Sequence, residues 1–175
     1  MIWLSSSTIA RLRDQLRSRG QRPSSVADAA SPEAIEAATN AAEYGPLCEA
    51  MFLMMSADGA VSGAEQEVLR GALRNLSGDA LHTPQITALL ETASARVAES
   101  GREARMQAVI EELHEDRARA EVAFVLAAAI AFADGAIADQ ENETLNALAD
   151  GLGIDEVRAN ELLDGVEKDL TAARS

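Results

Sequence analysis

Two stretches of the chain carry acids in the same spacing. Ala57-Asp58-Gly59-Ala60-Val61 is followed by Glu65, Glu67 and Leu69; Ala133-Asp134-Gly135-Ala136-Ile137 is followed by Glu141, Glu143 and Leu145. The second copy starts 76 residues after the first, and in each the glutamate stands seven residues beyond the aspartate. Carboxylates are hard oxygen donors, and two of them converging across a turn suit calcium, magnesium or manganese better than zinc or copper. Asp58, Glu65, Asp134 and Glu141 are therefore the candidate metal ligands.

A purely structural account competes with the metal. Gly59 and Gly135 supply a left-handed backbone that stops a helix, and Val61 and Ile137 plug the corner behind it. Glu65 and Glu141 then fall in the first turn of the next helix, where its dipole favours an acid. Ser62-Gly63-Ala64-Glu65 even reads as a capping box. Two features weigh toward the cation. Ala138 replaces the capping serine in the second copy, so Glu141 has no such box to complete. Asp58 and Asp134 also stand where a helix is ending, the end its dipole makes unfavourable for an acid. The spacing matches the second half of an EF-hand loop, but Met54, Ser56, Ile130 and Phe132 occupy the leading ligand positions. A self-contained calcium loop is excluded, and any site must gather oxygens from both copies.

Other chemistry is poorly represented. His82 and His114 are the only histidines, and neither has a metal-ligand spacing; His114, between Glu112, Glu115 and Asp116, reads as a solvated side chain paired with acids. Cys48 is the single cysteine, so there is no disulfide framework, and its apolar surroundings suit an inert buried thiol. No nucleophile elbow, phosphate loop or dinucleotide glycine pattern occurs. The reading is non-enzymatic.

The elements that must position the acids are helices. Hydrophobic residues make up 47% of the chain and aromatics 3%, an Ala- and Leu-rich balance that favours helix over strand. Helical periodicity runs over residues 8–18, then 32–57 with a break expected near Gly45-Pro46, 63–76, 84–98 after a Thr83 cap, and 102–113. It continues over 118–133, apolar on every side and hence central, then 139–152 stopped by Gly153, and 155–170. The expected fold is all-α, a bundle of about seven to eight helices in which two helix–turn–helix units form a pseudo-twofold pair. Met51, Met54 and Met55 read as core beside Phe52 and Leu53.

Charge divides the chain. Residues 1–22 hold Arg11, Arg13, Arg17, Arg19 and Arg22 against Asp14, a net +4 that leaves −18 on the rest of a chain whose total is −14. So acidic a body repels nucleic acid and attracts cations and basic protein partners. Residues 1–32 are read as a basic N-terminal arm and linker, dispensable for folding, and 33–175 as the helical domain. Ile9, Leu12 and Leu16 make the arm's helix amphipathic, so that it is a disordered tail, a tether to an anionic partner or, the reading favoured here, a mobile arm able to dock on its own acidic body. The longest apolar run, 123–133, has 11 residues, too few to span a bilayer, and Met1-Ile2-Trp3-Leu4 lacks the order of a secretory signal. A cytoplasmic protein is expected; its oligomeric state is not readable.

Two Ala-Asp-Gly turns, each with a glutamate seven residues after the aspartate, resemble the tellurite-resistance TerB family. The likeness covers roughly residues 40–170 and is strongest in AFADGAIADQENETL and the terminal LADGLGI. It implies a helical bundle with internal twofold character, a metal-associated acidic surface at Asp58, Glu65, Asp134 and Glu141, and a non-enzymatic role in bacterial responses to tellurite and other toxic agents. The alternative is a metal-free interaction or scaffold domain whose acidic turns are structural.

Overall fold

The computed structural model describes residues 4–18, 31–133 and 137–174. They form eight helices and no strand: α1 (Ser6–Arg17), α2 (Pro32–Met55), α3 (Gly63–Leu76), α4 (Thr83–Ser100), α5 (Arg102–Leu113), α6 (Arg117–Ala131), α7 (Asp139–Gly151) and α8 (Glu156–Arg174). The all-α expectation holds. α6 is buried at every position from Arg119 to Ala131, and its alanines leave room for neighbours on all sides. Its most extensive partner is α2. α4 and α5 cover the far side of α2, while α7, α8 and α1 close around α6.

The two copies of the motif occupy corresponding places. Each links a central helix, α2 or α6, to an amphipathic helix, α3 or α7, entered through an extended N-cap: Ser62 at φ −81, ψ 155 and Ala138 at φ −71, ψ 159. Gly153 ends α7 at φ 69, and Ile154 N–H reaches back to Ala149 O at 2.9 Å, the six-to-one bond of a Schellman stop.

The break expected at Gly45-Pro46 does not occur. α2 runs through Pro46. Proline has no N–H for the carbonyl one turn back, that of Ala42, which leaves this acceptor without its helical partner. Arg119, 3% exposed on α6, supplies the missing donor: its Nη2 bonds Ala42 O and Glu43 O, both at 2.8 Å. A tertiary contact 77 residues away replaces a helical hydrogen bond. The start of α4 also lies one residue earlier than expected. His82 is the N-cap, its N–H held by Gln85 Oε1 at 2.6 Å, and Thr83 is already helical.

The basic segment does not hang free. Ile9, Leu12 and Leu16 form the apolar stripe of α1, and with Leu4 they join the same core as the leucines of α3 and the alanines of α6. Leu12 is 1% exposed. Of the alternatives open to a basic amphipathic helix, the structure has the docked one, and the i, i+3, i+7 aliphatic stripe is what a helix needs to dock.

Candidate functional site

The first acidic turn is built by backbone demand. α2 ends at Met55; Ala57 N–H bonds Met54 O at 3.1 Å and Gly59 N–H bonds Ser56 O at 3.1 Å, so the chain reverses in two tight turns. Gly59 adopts φ 85, a left-handed conformation that resists a side chain. Asp58 closes the corner: its Oδ1 accepts the N–H of Ala60 at 3.0 Å, a side-chain turn that Asp and Asn make readily. Then Ser62 Oγ accepts Glu65 N–H at 3.1 Å and Glu65 Oε2 accepts Ser62 N–H at 2.7 Å, the reciprocal capping box that starts α3.

The second turn repeats half of this. Asp134, with Gly135 and Ala136, lies outside the described residues. Glu141 is described, and its Oε2 accepts the N–H of Ala138 at 2.8 Å. The glutamate half of the box is thus independent of the serine half: the acid reaches back to the N-cap N–H whether or not that residue has a hydroxyl. Ala138, which weighed for the cation in the sequence, does not leave Glu141 without a structural role.

The test of a metal site is whether oxygens converge. Asp58 is exposed and Glu65 half-buried, and each commits one carboxylate oxygen to a backbone N–H. Among the described residues, no three side chains of His, Cys, Asp or Glu gather where they would hold a metal ion. The first turn does approach α7. A shallow cleft of about 240 Å³ has Ala57 of the first turn on one side and Gln140, Glu143 and Thr144 of α7 on the other, with Arg102 and Met106 of α5 between them. Arg102 is turned away from this cleft's acids: its Nη2 donates to Leu53 O at 2.6 Å, capping the end of α2, and burial lowers its pKa.

The most strongly interacting carboxylates lie elsewhere, inside the bundle. Glu49 on α2 is 2% exposed and is bonded through both oxygens by Arg105 of α5, with Arg96 of α4 at 3.4 Å. Glu121 on α6 receives Arg158 of α8 at 3.0 and 2.8 Å and Arg117 at 3.4 Å. The hydrogen bonds from Arg158 hold the Glu121 carboxyl below its ordinary 4.5, against the opposing effect of burial. These pairs clamp the outer helices onto the central two. Neither glutamate was singled out in the sequence, although Glu49 is a lone acid among apolar neighbours and Glu121 directly precedes the apolar run 122–133.

The remaining candidates are quiet. Burial pushes the Cys48 thiol up to about 12, so it carries no thiolate at neutral pH. His114 is exposed at the end of α5, with Nδ1 2.9 Å from Glu111 O. No helix among the described residues is long and apolar enough to cross a membrane. Residues 45–163 match the family described as tellurite resistance protein TerB, a span from the Pro46 region of α2 into α8. No curated protein matches the chain. No solved structure matches it either.

Proposed function

The chain belongs to the TerB family, and from that premise we propose that it is a non-enzymatic protein-interaction module acting in a tellurite-type stress response, with acidic turns that serve the backbone. One observation carries the reading: each described candidate ligand holds a backbone N–H, Asp58 that of Ala60, Glu65 that of Ser62 and Glu141 that of Ala138. The recurrence of the acids then follows from a recurring turn. With a formal charge of −14, the chain favours basic protein surfaces as partners and disfavours nucleic acid.

A second reading places a hard divalent cation, calcium, magnesium or manganese, between Asp58, Glu65, Asp134 and Glu141. Its support is the exposure of Asp58 and the seven-residue Asp-to-Glu spacing kept in both copies. Thermal melts separate the two. A cation bound only to the folded state at about 100 times its Kd adds roughly 2.7 kcal/mol, which is plain in a melting curve. On the interaction reading, millimolar calcium, magnesium and manganese leave the melting temperature unchanged. Asp58→Asn, which keeps the acceptor, then retains stability, while Asp58→Ala loses about 1 kcal/mol. A metal-dependent rise abolished by Asp58→Asn would overturn the structural assignment. The stress role is checked by tellurite survival of cells lacking the chain, restored by the wild type.

A further inference from the structure

We propose that the groove holding α1 is a helix-docking site, with α1 as its resident occupant and an amphipathic, arginine-bearing helix of a partner protein as its alternative occupant. This rests on reading the chain as an interaction module and names the surface and partner chemistry for it. The floor of the groove comes from α3 and α6, both inside the stretch matched to the family, whereas α1 lies outside it. The occupant is joined to the domain only through residues 19–30, RGQRPSSVADAA, a stretch with no aromatic and a single large aliphatic residue.

The contacts define what the groove recognises. Ile9, Leu12 and Leu16 fill its apolar floor from one stripe of α1. Around them the groove offers acceptors. Arg13 Nη2 donates to Asn75 O, and Arg13 and Arg17 lie over Gly78, where a Cβ would meet Arg13 Nε at 3.5 Å and Arg17 Nη2 at 3.6 Å. This is the carbonyl end of α3, whose dipole draws cations. Gln15 Nε2 donates to Ala118 O at 3.2 Å, and Ser5 N–H points to Asp169 Oδ2 at 3.4 Å. Apolar floor and acceptor rim together select a helix with aliphatics at i, i+3 and i+7 and an arginine one residue after the second of them.

The test uses the full chain with a specific protease site placed after Ser25. After cutting, the two pieces are held only by the groove, and a fluorescent peptide of residues 4–18 is added as the probe. The expected result is exchange of the resident fragment for the peptide, followed by anisotropy, with the body still folded by circular dichroism. The uncut chain should take up at least tenfold less peptide at equal concentration, because its own α1 competes from a tether. Peptides carrying Leu12→Asp or Arg13→Glu should bind at least tenfold more weakly. As a second route, the uncut Leu12→Asp chain should expose its groove and take up the wild-type peptide. A fragment that never exchanges, or a body that unfolds when the fragment leaves, overturns the proposal and makes α1 an ordinary core helix. Either failure leaves the module reading standing, since that reading falls only with a metal response at the acidic turns.

Discussion

Arg119 and Pro46 should be energetically coupled although they lie on different helices. Replacing Arg119 by Met keeps much of its aliphatic volume and removes the Nη2 donor shared by Ala42 O and Glu43 O. The Ala42 carbonyl then has no helical donor, because residue 46 is proline inside α2. Ala42 is exposed, so water can replace the lost donor, and what disappears is the net worth of one hydrogen bond, about 0.5–1.5 kcal/mol. Converting Pro46 to Ala restores an N–H one turn beyond Ala42, so in that background the carbonyl closes an ordinary helical bond. Arg119→Met should therefore cost about 0.5–1.5 kcal/mol less in the Pro46→Ala chain than in the wild type. All other effects of losing the guanidinium, including its packing, cancel in the cycle. Urea denaturation of the four chains, followed at 222 nm, gives the coupling directly, provided the m-values agree. A coupling energy within about 0.3 kcal/mol of zero would mean that Arg119 does not serve the proline-freed carbonyl.

Three further outcomes follow from the geometry. Ala138→Ser gives α7 the missing half of its capping box and should raise stability by about 0.5–1 kcal/mol in urea titration; a neutral or negative effect would show that the extended N-cap does not aim a hydroxyl at the first turn. Glu49→Ala removes a buried carboxylate bonded through both oxygens by Arg105, which keeps some solvent and Glu112 nearby, and should cost about 1.5–3 kcal/mol. Glu67→Ala, which removes an exposed partner of Arg70, should stay within about 0.5 kcal/mol, and comparable losses for the two would refute the ranking by burial. For Glu121 the folded pKa lies below its ordinary 4.5, so its pairing with Arg158 stabilises fully above that value and is lost as pH falls through the folded pKa. The stability gap between wild type and Glu121→Gln should accordingly be flat above about pH 5 and shrink on acidification; a gap that grows toward acid would reverse the assigned sign.

What the sequence disclosed, and what it hid, divides along the range of the interactions. Helix identity was legible because alanine, leucine and the 3.6-residue stripes act within a turn or two: residues 102–113 and 63–76 coincide with α5 and α3. The central place of α6 was legible too, since a segment apolar all round has nowhere else to go. The continuity of α2 through Pro46 was not. It depends on a guanidinium supplied from α6, and no local rule reports a donor 77 residues away. The docking of α1 was legible only as one alternative: burying Ile9, Leu12 and Leu16 is worth roughly 1.5–3 kcal/mol each, but a stripe does not say which surface receives it.

The acidic turns were ambiguous because a metal ion and a backbone N–H ask the same thing of a carboxylate. Both are positive, both are satisfied by oxygen at a fixed place, and both recur wherever a turn recurs. The dipole argument seemed to separate them, as Asp58 stands at a helix C-terminus where an acid is unfavourable by about 0.3–1 kcal/mol. The bond from Ala60 N–H to Asp58 Oδ1 offsets that, since a side-chain acceptor on a turn N–H contributes about 1 kcal/mol. The capping rule points the same way in the sequence, because the Ala138 side chain cannot accept a hydrogen bond from the helix it precedes. Yet Glu141 needs nothing from that side chain; it takes the Ala138 N–H, one of the donors every helix start leaves orphaned. Where the first copy spends a serine and a glutamate on its helix start, the second manages with the glutamate alone, which is why the acid and not the hydroxyl persists in both.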